Sequence, residues 1–369
     1  MTRRRSFLRA LGGAATVGLA GCAGEDASSE ESTASSGQTG SATPTERTLR
    51  VAAYESFVDA PSTSAGDWVK TEFESRHDNL TLEWVIRDGG LQHFFQRQQQ
   101  GASLDADAFV GVTAPDLVKA DDELDDPLFE PFDPSAVGNS DNVVDAYQFD
   151  PKRRVLPTGA SYVSFVYDEN EISSPETLDA LTTDAYADSL LLANPQSTTT
   201  GLLFLLWTIH TKGAENYLDY WDALVDNGIS ILGSWGDAYA AYSEEEKPMV
   251  VSYSTDQVFA DQNDANLEAH KIRFLNDQGY ANPEGMAVFD GADTPDLARE
   301  FMSFLLRPDI QGEIAVRNVQ FPATESADLP EDYAELAQEP PEPVTFGYDE
   351  LKGSVSGWIS DWERQFASN

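Results

Sequence analysis

The chain has 369 residues, with 64 acidic side chains against 23 lysines and arginines and a formal net charge of −41; only 7 of those cations are lysines. This balance excludes a nucleic-acid binder, which needs a basic footprint. The acids are scattered rather than gathered in one tail, the surface expected of a protein made for high salt, where self-repulsion is screened. In such a chain no exposed carboxylate is marked as functional by charge alone.

The first segment reads as an export signal. Arg3, Arg4 and Arg5 precede Ser6, Phe7 and Leu8 in a twin-arginine pattern, and small apolar residues follow from Ala10 to Gly21. That run is too short for a membrane span, which needs about 20 apolar residues. It ends in Leu19-Ala20-Gly21-Cys22, a lipobox, and Cys22 is the only cysteine. Lipid attachment at Cys22 is therefore expected, with residues 1–22 the signal and 23–47 a tether too polar to fold. The expected destination is the outer face of the cytoplasmic membrane.

From Thr48 the pattern alternates strands and helices. Leu49–Tyr54 reads as a strand, Asp67–Glu74 as a helix, Leu80–Ile86 as a strand, then a turn at Asp88-Gly89-Gly90, a helix through Phe94, and a strand over 108–112. This β-α-β-α-β order predicts an α/β fold with a mostly parallel sheet and crossover helices. Ligands in such sheets sit at the carboxyl ends of the strands. Tyr54, Asp88 and Thr113 stand at three such ends.

Ser161–Tyr167 is a further strand and a lobe crossover. After the strand Leu190–Ala193 comes Asn194–Trp207, NPQSTTTGLLFLLW. An Asn-Pro turn and four hydroxylated residues before an unbroken apolar run signal a helix start, whose free N–H groups suit an anionic or polar ligand group. Two readings stay open at this point: a ligand cradle, or a capped core helix that binds nothing. Tyr217–Val225 reads as a core helix and Ile229–Leu232 as a strand, with Trp235 in a glycine-flanked loop behind it. Met249–Tyr253 is a strand whose end carries Tyr253-Ser254-Thr255-Asp256. Gly279–Asp290 reads as a return crossover and Thr294–Leu306 as a helix. Asn318–Ala323 is a loop facing back toward the site. Trp358 and Trp362, four apart, read as packing residues of a terminal helix.

No GxGxxG or Walker loop, HExxH or GxSxG is present, the four histidines are dispersed, and no second thiol exists. These absences suit binding without chemistry: no enzyme and no cofactor.

The residues that stand together resemble the extracytoplasmic thiamine-binding proteins of ABC importers, in the group of type II periplasmic binding proteins that also takes iron and polyamines. The resemblance covers the folded part through Tyr54-Glu55-Ser56-Phe57, Asp88-Gly89, Phe165–Asp168, Asn194–Trp207, Gly233-Ser234-Trp235 with Ala238-Tyr239, Ser252–Thr255 and Trp358–Trp362. It implies a two-lobed α/β fold with the ligand cleft between the lobes, 48–160 with 285–369 forming one lobe and 161–284 the other. It implies a monomer that takes thiamine or a thiamine phosphate, with ABC permease and ATPase subunits as partners. Carried over by position, the contacts are Tyr54, Asp88, Gly89, Thr198, Thr199, Trp235, Tyr253, Ser254, Thr255 and Asp256. Of the family's pattern, the tryptophan of the late loop is replaced here by Val319 and a tyrosine after the Tyr253 strand by Phe259. Other readings are a receptor for ferric iron or a polyamine, a thiamine-degrading enzyme, which would need a cleft cysteine, and a surface protein without a small ligand.

Overall fold

The computed structural model describes residues 46–59 and 64–366. The signal, Cys22 and most of the tether lie outside them. Three parallel strands open the fold. β1 (Arg47–Ala53) pairs with β2 (Leu80–Val85) and β3 (Ala108–Thr113). Between them run the short α1 (Glu55–Val58), α2 (Gly66–Ser75) and α3 (Leu91–Gln99), with α4 (Ala114–Glu123) after β3. Alternation explains the two covered faces: Leu49, Val51 and Ala53 of β1 enter one core while Ala52 enters the other, as buried parallel strands require.

The chain then crosses the sheet on β4 (Val155–Tyr167), 13 residues where the sequence predicts a strand only from Ser161. Pro157 and Gly159 hide its first half. They are tolerated because the pairing shifts between them, leaving Thr158 as an extra residue. A second parallel group follows: β5 (Leu190–Ala193) between β6 (Ser230–Leu232) and β7 (Met249–Tyr253). Its helices are α5 (Thr199–Lys212), α6 (Tyr217–Asp226), α7 (Trp235–Ser243) and α8 (Asp256–Gln262). After the short β8 (Lys271–Arg273), the chain returns on β9 (Gln278–Val288), antiparallel to both β3 and β4. The sheet order is β2-β1-β3-β9-β4-β7-β5-β6, two parallel groups joined by two long antiparallel strands. α9 (Pro295–Leu305), α10 (Pro308–Asn318), β10 (Phe321–Pro322), α11 (Tyr333–Leu336), β11 (Glu342–Val344), α12 (Tyr348–Leu351) and α13 (Val355–Phe366) complete the chain.

Two expectations change. Trp235 is not in a loop: it is the first residue of α7, whose N-cap Ser234 accepts a hydrogen bond from the Asp237 amide at 3.0 Å. And α13, grouped by sequence with 48–160, packs on α6 instead. Trp362 meets Trp221 edge-on at 5.3 Å, and the Tyr217 hydroxyl donates to the Trp358 carbonyl at 3.1 Å.

α5 is buried on all sides from Thr200 to Ile209, which is what an unbroken apolar run demands. Thr198 caps it, accepting from the Gly201 amide at 3.1 Å and donating to the Asn194 carbonyl at 2.8 Å. Gly201 lets the helix start press against β5: a Cβ there would lie 2.3 Å from the Ala193 carbonyl oxygen. Gly201→Ala will lower stability by about 1–3 kcal/mol, overpacking outweighing helix propensity. Gly357→Ala in α13, where a Cβ meets nothing within 4 Å, will instead raise it by about 0.5–1 kcal/mol. Urea unfolding midpoints read both signs. Thr198→Ala will cost about 1 kcal/mol through the lost cap, in the same assay.

Candidate ligand-binding site

Four strands deliver polar and aromatic side chains to one region. Tyr54 follows β1, Tyr253 ends β7, Thr200 lies in the first turn of α5 beyond β5, and Trp235 opens α7 just beyond β6. The Thr200 and Tyr253 hydroxyls are 2.7 Å apart. Trp235 lies 6.3 Å from the Tyr253 ring and 5.1 Å from Tyr239, and its indole N–H donates to the Ser252 hydroxyl at 3.2 Å. Tyr54 comes from the other parallel group, and the two phenols are near enough that ionising Tyr253 would raise Tyr54.

Bonded to Tyr54, and near enough for its charge to act on Tyr253, stands a residue the sequence did not single out. Glu284 is the only charged residue of β9. Its Oε1 accepts from the Tyr54 hydroxyl at 2.9 Å, and the Asn318 amide donates to that same hydroxyl at 2.7 Å. Asn318 also bonds the Gln320 side chain. Both strands beside Glu284 bulge at this level. β3 inserts Gly111 between Val110, opposite Met286, and Val112, opposite Gly285; β4 inserts Thr158 before Gly159, opposite Glu284. Bulges next to sites re-aim side chains. The glycines are required by contact: a Cβ on Gly111 would sit 2.3 Å from the Tyr54 ring, and one on Gly285 2.3 Å from the Leu156 carbonyl oxygen.

Tyr54 and Glu284 keep some surface open, yet protein surrounds them on most sides. Burial, with the nearby Glu284 charge, pushes the Tyr54 phenol well above its usual value. Burial pushes Tyr253 up to about 12. Both phenols are therefore protonated at neutral pH. Burial raises the Glu284 carboxyl to about 7; the Tyr54 hydrogen bond opposes this and the charge of Asp116 adds to it. Asp116 is itself raised by burial and held by the Thr113 hydroxyl at 2.6 Å.

The other expected residues are placed as follows. Asp88 and Gly89 are exposed in the turn after β2, Gly89 at φ 81°, and among the described residues no side-chain hydrogen bond or ion pair joins Asp88 to the group above. Thr198 is occupied as a cap, while Thr199 is exposed on the first turn of α5. Ser254, Thr255 and Asp256 are buried. The Thr255 hydroxyl donates to the Val319 carbonyl at 2.8 Å, and Asp256 pairs with His270 Nδ1 at 2.7 Å. Thr200 stood in the sequence only as one of the four hydroxylated residues before α5, Asn318 only as the start of a loop facing the site, and Glu284 was not singled out. Glu284 had a readable signal, a lone charge inside an otherwise uncharged strand. A surface cavity of about 770 Å³ lined by Phe132, Val143, Arg153, Leu156 and Tyr348 includes none of these residues. Among the described residues no group of three or more His, Cys, Asp or Glu could hold a metal ion, and no helix is long and apolar enough to cross a membrane.

The arrangement offers aromatic faces, hydroxyls and one carboxylate at the carboxyl ends of strands, and no nucleophile with an adjacent base. Comparison with known proteins agrees. A thiamine-binding periplasmic protein of Salmonella typhimurium is 26% identical over 326 residues, covering 86% of this chain and 92% of that protein. The solved structure of a periplasmic thiamin binding protein superposes with a TM-score of 0.72 at 25% identity, covering 86% of this chain and 96% of the other. A ferric binding protein from Campylobacter jejuni shares the fold alone, at 15% identity and a TM-score of 0.68, covering 86% and 99%. These are two-lobed binding proteins, not enzymes. The family model described as bacterial extracellular solute-binding protein matches residues 68–341, and the chain belongs to that family.

Proposed function

We propose that this chain captures thiamine or a thiamine phosphate outside the cell and delivers it to the permease and ATPase subunits of an ABC transporter. It acts as a monomer, exported by the twin-arginine route and held at the outer face of the cytoplasmic membrane by lipid on Cys22. The observation that carries the reading is a carboxylate, Glu284, bonded by Tyr54 and near enough to act on Tyr253, with Trp235 beside Tyr253. Thiamine carries a fixed positive charge on its thiazolium ring, and an aromatic face attracts such a cation by about 0.5–2 kcal/mol. The names of the relatives support the same ligand.

In this reading Asp88 and Gly89 meet the aminopyrimidine at the rim. The start of α5, with Thr199 exposed and Thr198 fixing the first turn, takes the hydroxyethyl oxygen or its phosphate. Ser254, Thr255 and Asp256 follow Tyr253 in the chain and are buried, Thr255 anchored on the Val319 carbonyl and Asp256 on His270. The lobes divide on the β4–β9 pair, 48–160 with 285–351 against 161–284 with α13, and close on the ligand as hinged lobes do. The acidic surface suits high salt.

Ferric iron is the second reading, because two phenols and a carboxylate are hard oxygen donors. It requires phenolates, and burial of Tyr253 opposes their formation.

Calorimetry in molar salt with thiamine, its mono- and diphosphate, spermidine and ferric iron tests the proposal. A thiamine form is expected to bind, and Trp235→Ala to weaken it about 5- to 30-fold, equivalent to about 1–2 kcal/mol. Binding of iron or spermidine with no response to any thiamine form would reject it.

A further inference from the structure

We propose that Glu284 is the group that selects a permanently cationic ring, holding it with its own ionised carboxylate, so that capture strengthens as pH rises through neutrality. This rests on the preceding reading that the ligand is a fixed cation.

The geometry is built around this side chain. Along β9, Val288 and Met286 enter one hydrophobic core, and Glu284 continues their row where that core ends. The bulges at Gly111 and Thr158 flank it on both sides, and Gly285 holds its backbone too tightly for any side chain on the next residue. Strand pairing, rather than a mobile loop, therefore sets its position.

The groups around it supply no countercharge. Tyr54 faces it from the end of β1, Tyr253 from β7, Asp116 from α4, and the neutral Asn318–Gln320 pair holds Tyr54 from behind. Among the described residues no Lys, Arg or His forms an ion pair with Glu284. A buried carboxyl without a cation keeps its proton longer, and a cation bound beside it favours the ionised form. The cation that completes this site is the ligand's.

The sign follows from the direction of the shift. Burial raises Glu284 from 4.5 to about 7. The empty folded protein then binds this proton more tightly than the unfolded chain. Its stability contribution is therefore lost as pH rises from about 4.5 through about 7. A cationic ligand binds the ionised form, which is about a tenth of the protein at pH 6 and about nine-tenths at pH 8.

The test measures thiamine affinity by calorimetry from pH 6 to pH 8 at constant salt, for the wild-type chain, Glu284→Gln and Tyr54→Phe. Thiochrome, the uncharged oxidation product of thiamine, serves as the control ligand. Wild-type affinity for thiamine is expected to rise about tenfold across this range. Glu284→Gln should be flat and about tenfold weaker at pH 8, while thiochrome distinguishes neither variant nor pH. Tyr54→Phe removes a hydrogen bond that favours the ionised carboxyl, so its midpoint should move to higher pH. A Glu284→Gln protein with the wild-type pH profile overturns the inference while leaving thiamine binding in place. Wild-type protein that fails to bind thiamine at pH 8 overturns the functional reading itself. If Glu284→Gln does not fold, an unmoved midpoint in Tyr54→Phe overturns the inference instead.

Discussion

The pairing of β4 with β9 is the constraint on which the rest of the molecule depends. Eight residue pairs, from Val155 with Ala287 to Val163 with Tyr280, join two parallel groups that otherwise share no strand. The ladder is antiparallel because the chain crosses on one strand and returns on the other. Each group then keeps its parallel order, with helices over both faces. The bulges fall where the ladder carries the carboxylate. The face that Glu284 takes follows from the alternation of β9, in the row of Met286 and Val288. The extra residue on each neighbour breaks the regular pairing at that level, where the row leaves the core and meets the Tyr54 phenol.

Electrostatics at this point is unlike the rest of the surface. The chain is strongly anionic, yet the grouped tyrosines carry no charge: a phenol is neutral at ordinary pH, and burial raises both further. Cations are used elsewhere. Arg154, nearly buried at the start of β4, spans Asp121 at 2.6 Å and Asp150 at 3.0 Å, and Tyr348 also bonds Asp121. That cluster fixes where β4 begins, and such buried ion pairs are costly to break on one side. Among the described residues Glu284 forms no ion pair, so its carboxyl behaves differently from the many exposed acids.

Much of this was legible from residues. The strand Leu190–Ala193 and the hydroxyl-rich start of α5 announce themselves because apolar periodicity and capping chemistry are both local signals. The strand ends at Tyr54 and Tyr253 follow from the α/β alternation. The first half of β4 was not legible, because Pro157 and Gly159 read as breakers unless a bulge is known to absorb them. Trp235 was read as a loop residue on account of Gly233 and Gly236, although Ser234 and Asp237 form the opening of a helix. Glu284 was hidden by composition: among 64 acids its charge carries no information, and only its uncharged strand neighbours set it apart. Neither the Thr200–Tyr253 contact nor the route of α13 to α6 leaves a local trace, since each depends on tertiary packing between distant segments.

That route has a consequence for assembly. The core around Trp221 is completed by Trp362, so helices translated in the middle of the chain wait for a segment more than a hundred positions later. Until that segment arrives, the Trp221 edge and its neighbours remain open to other molecules, and a chain cut before Val355 would expose them permanently. Long-range closure of this kind slows folding and favours association of incomplete chains. The second half of the molecule thus acquires its final shape only after the first half has been made and the chain has come back to it.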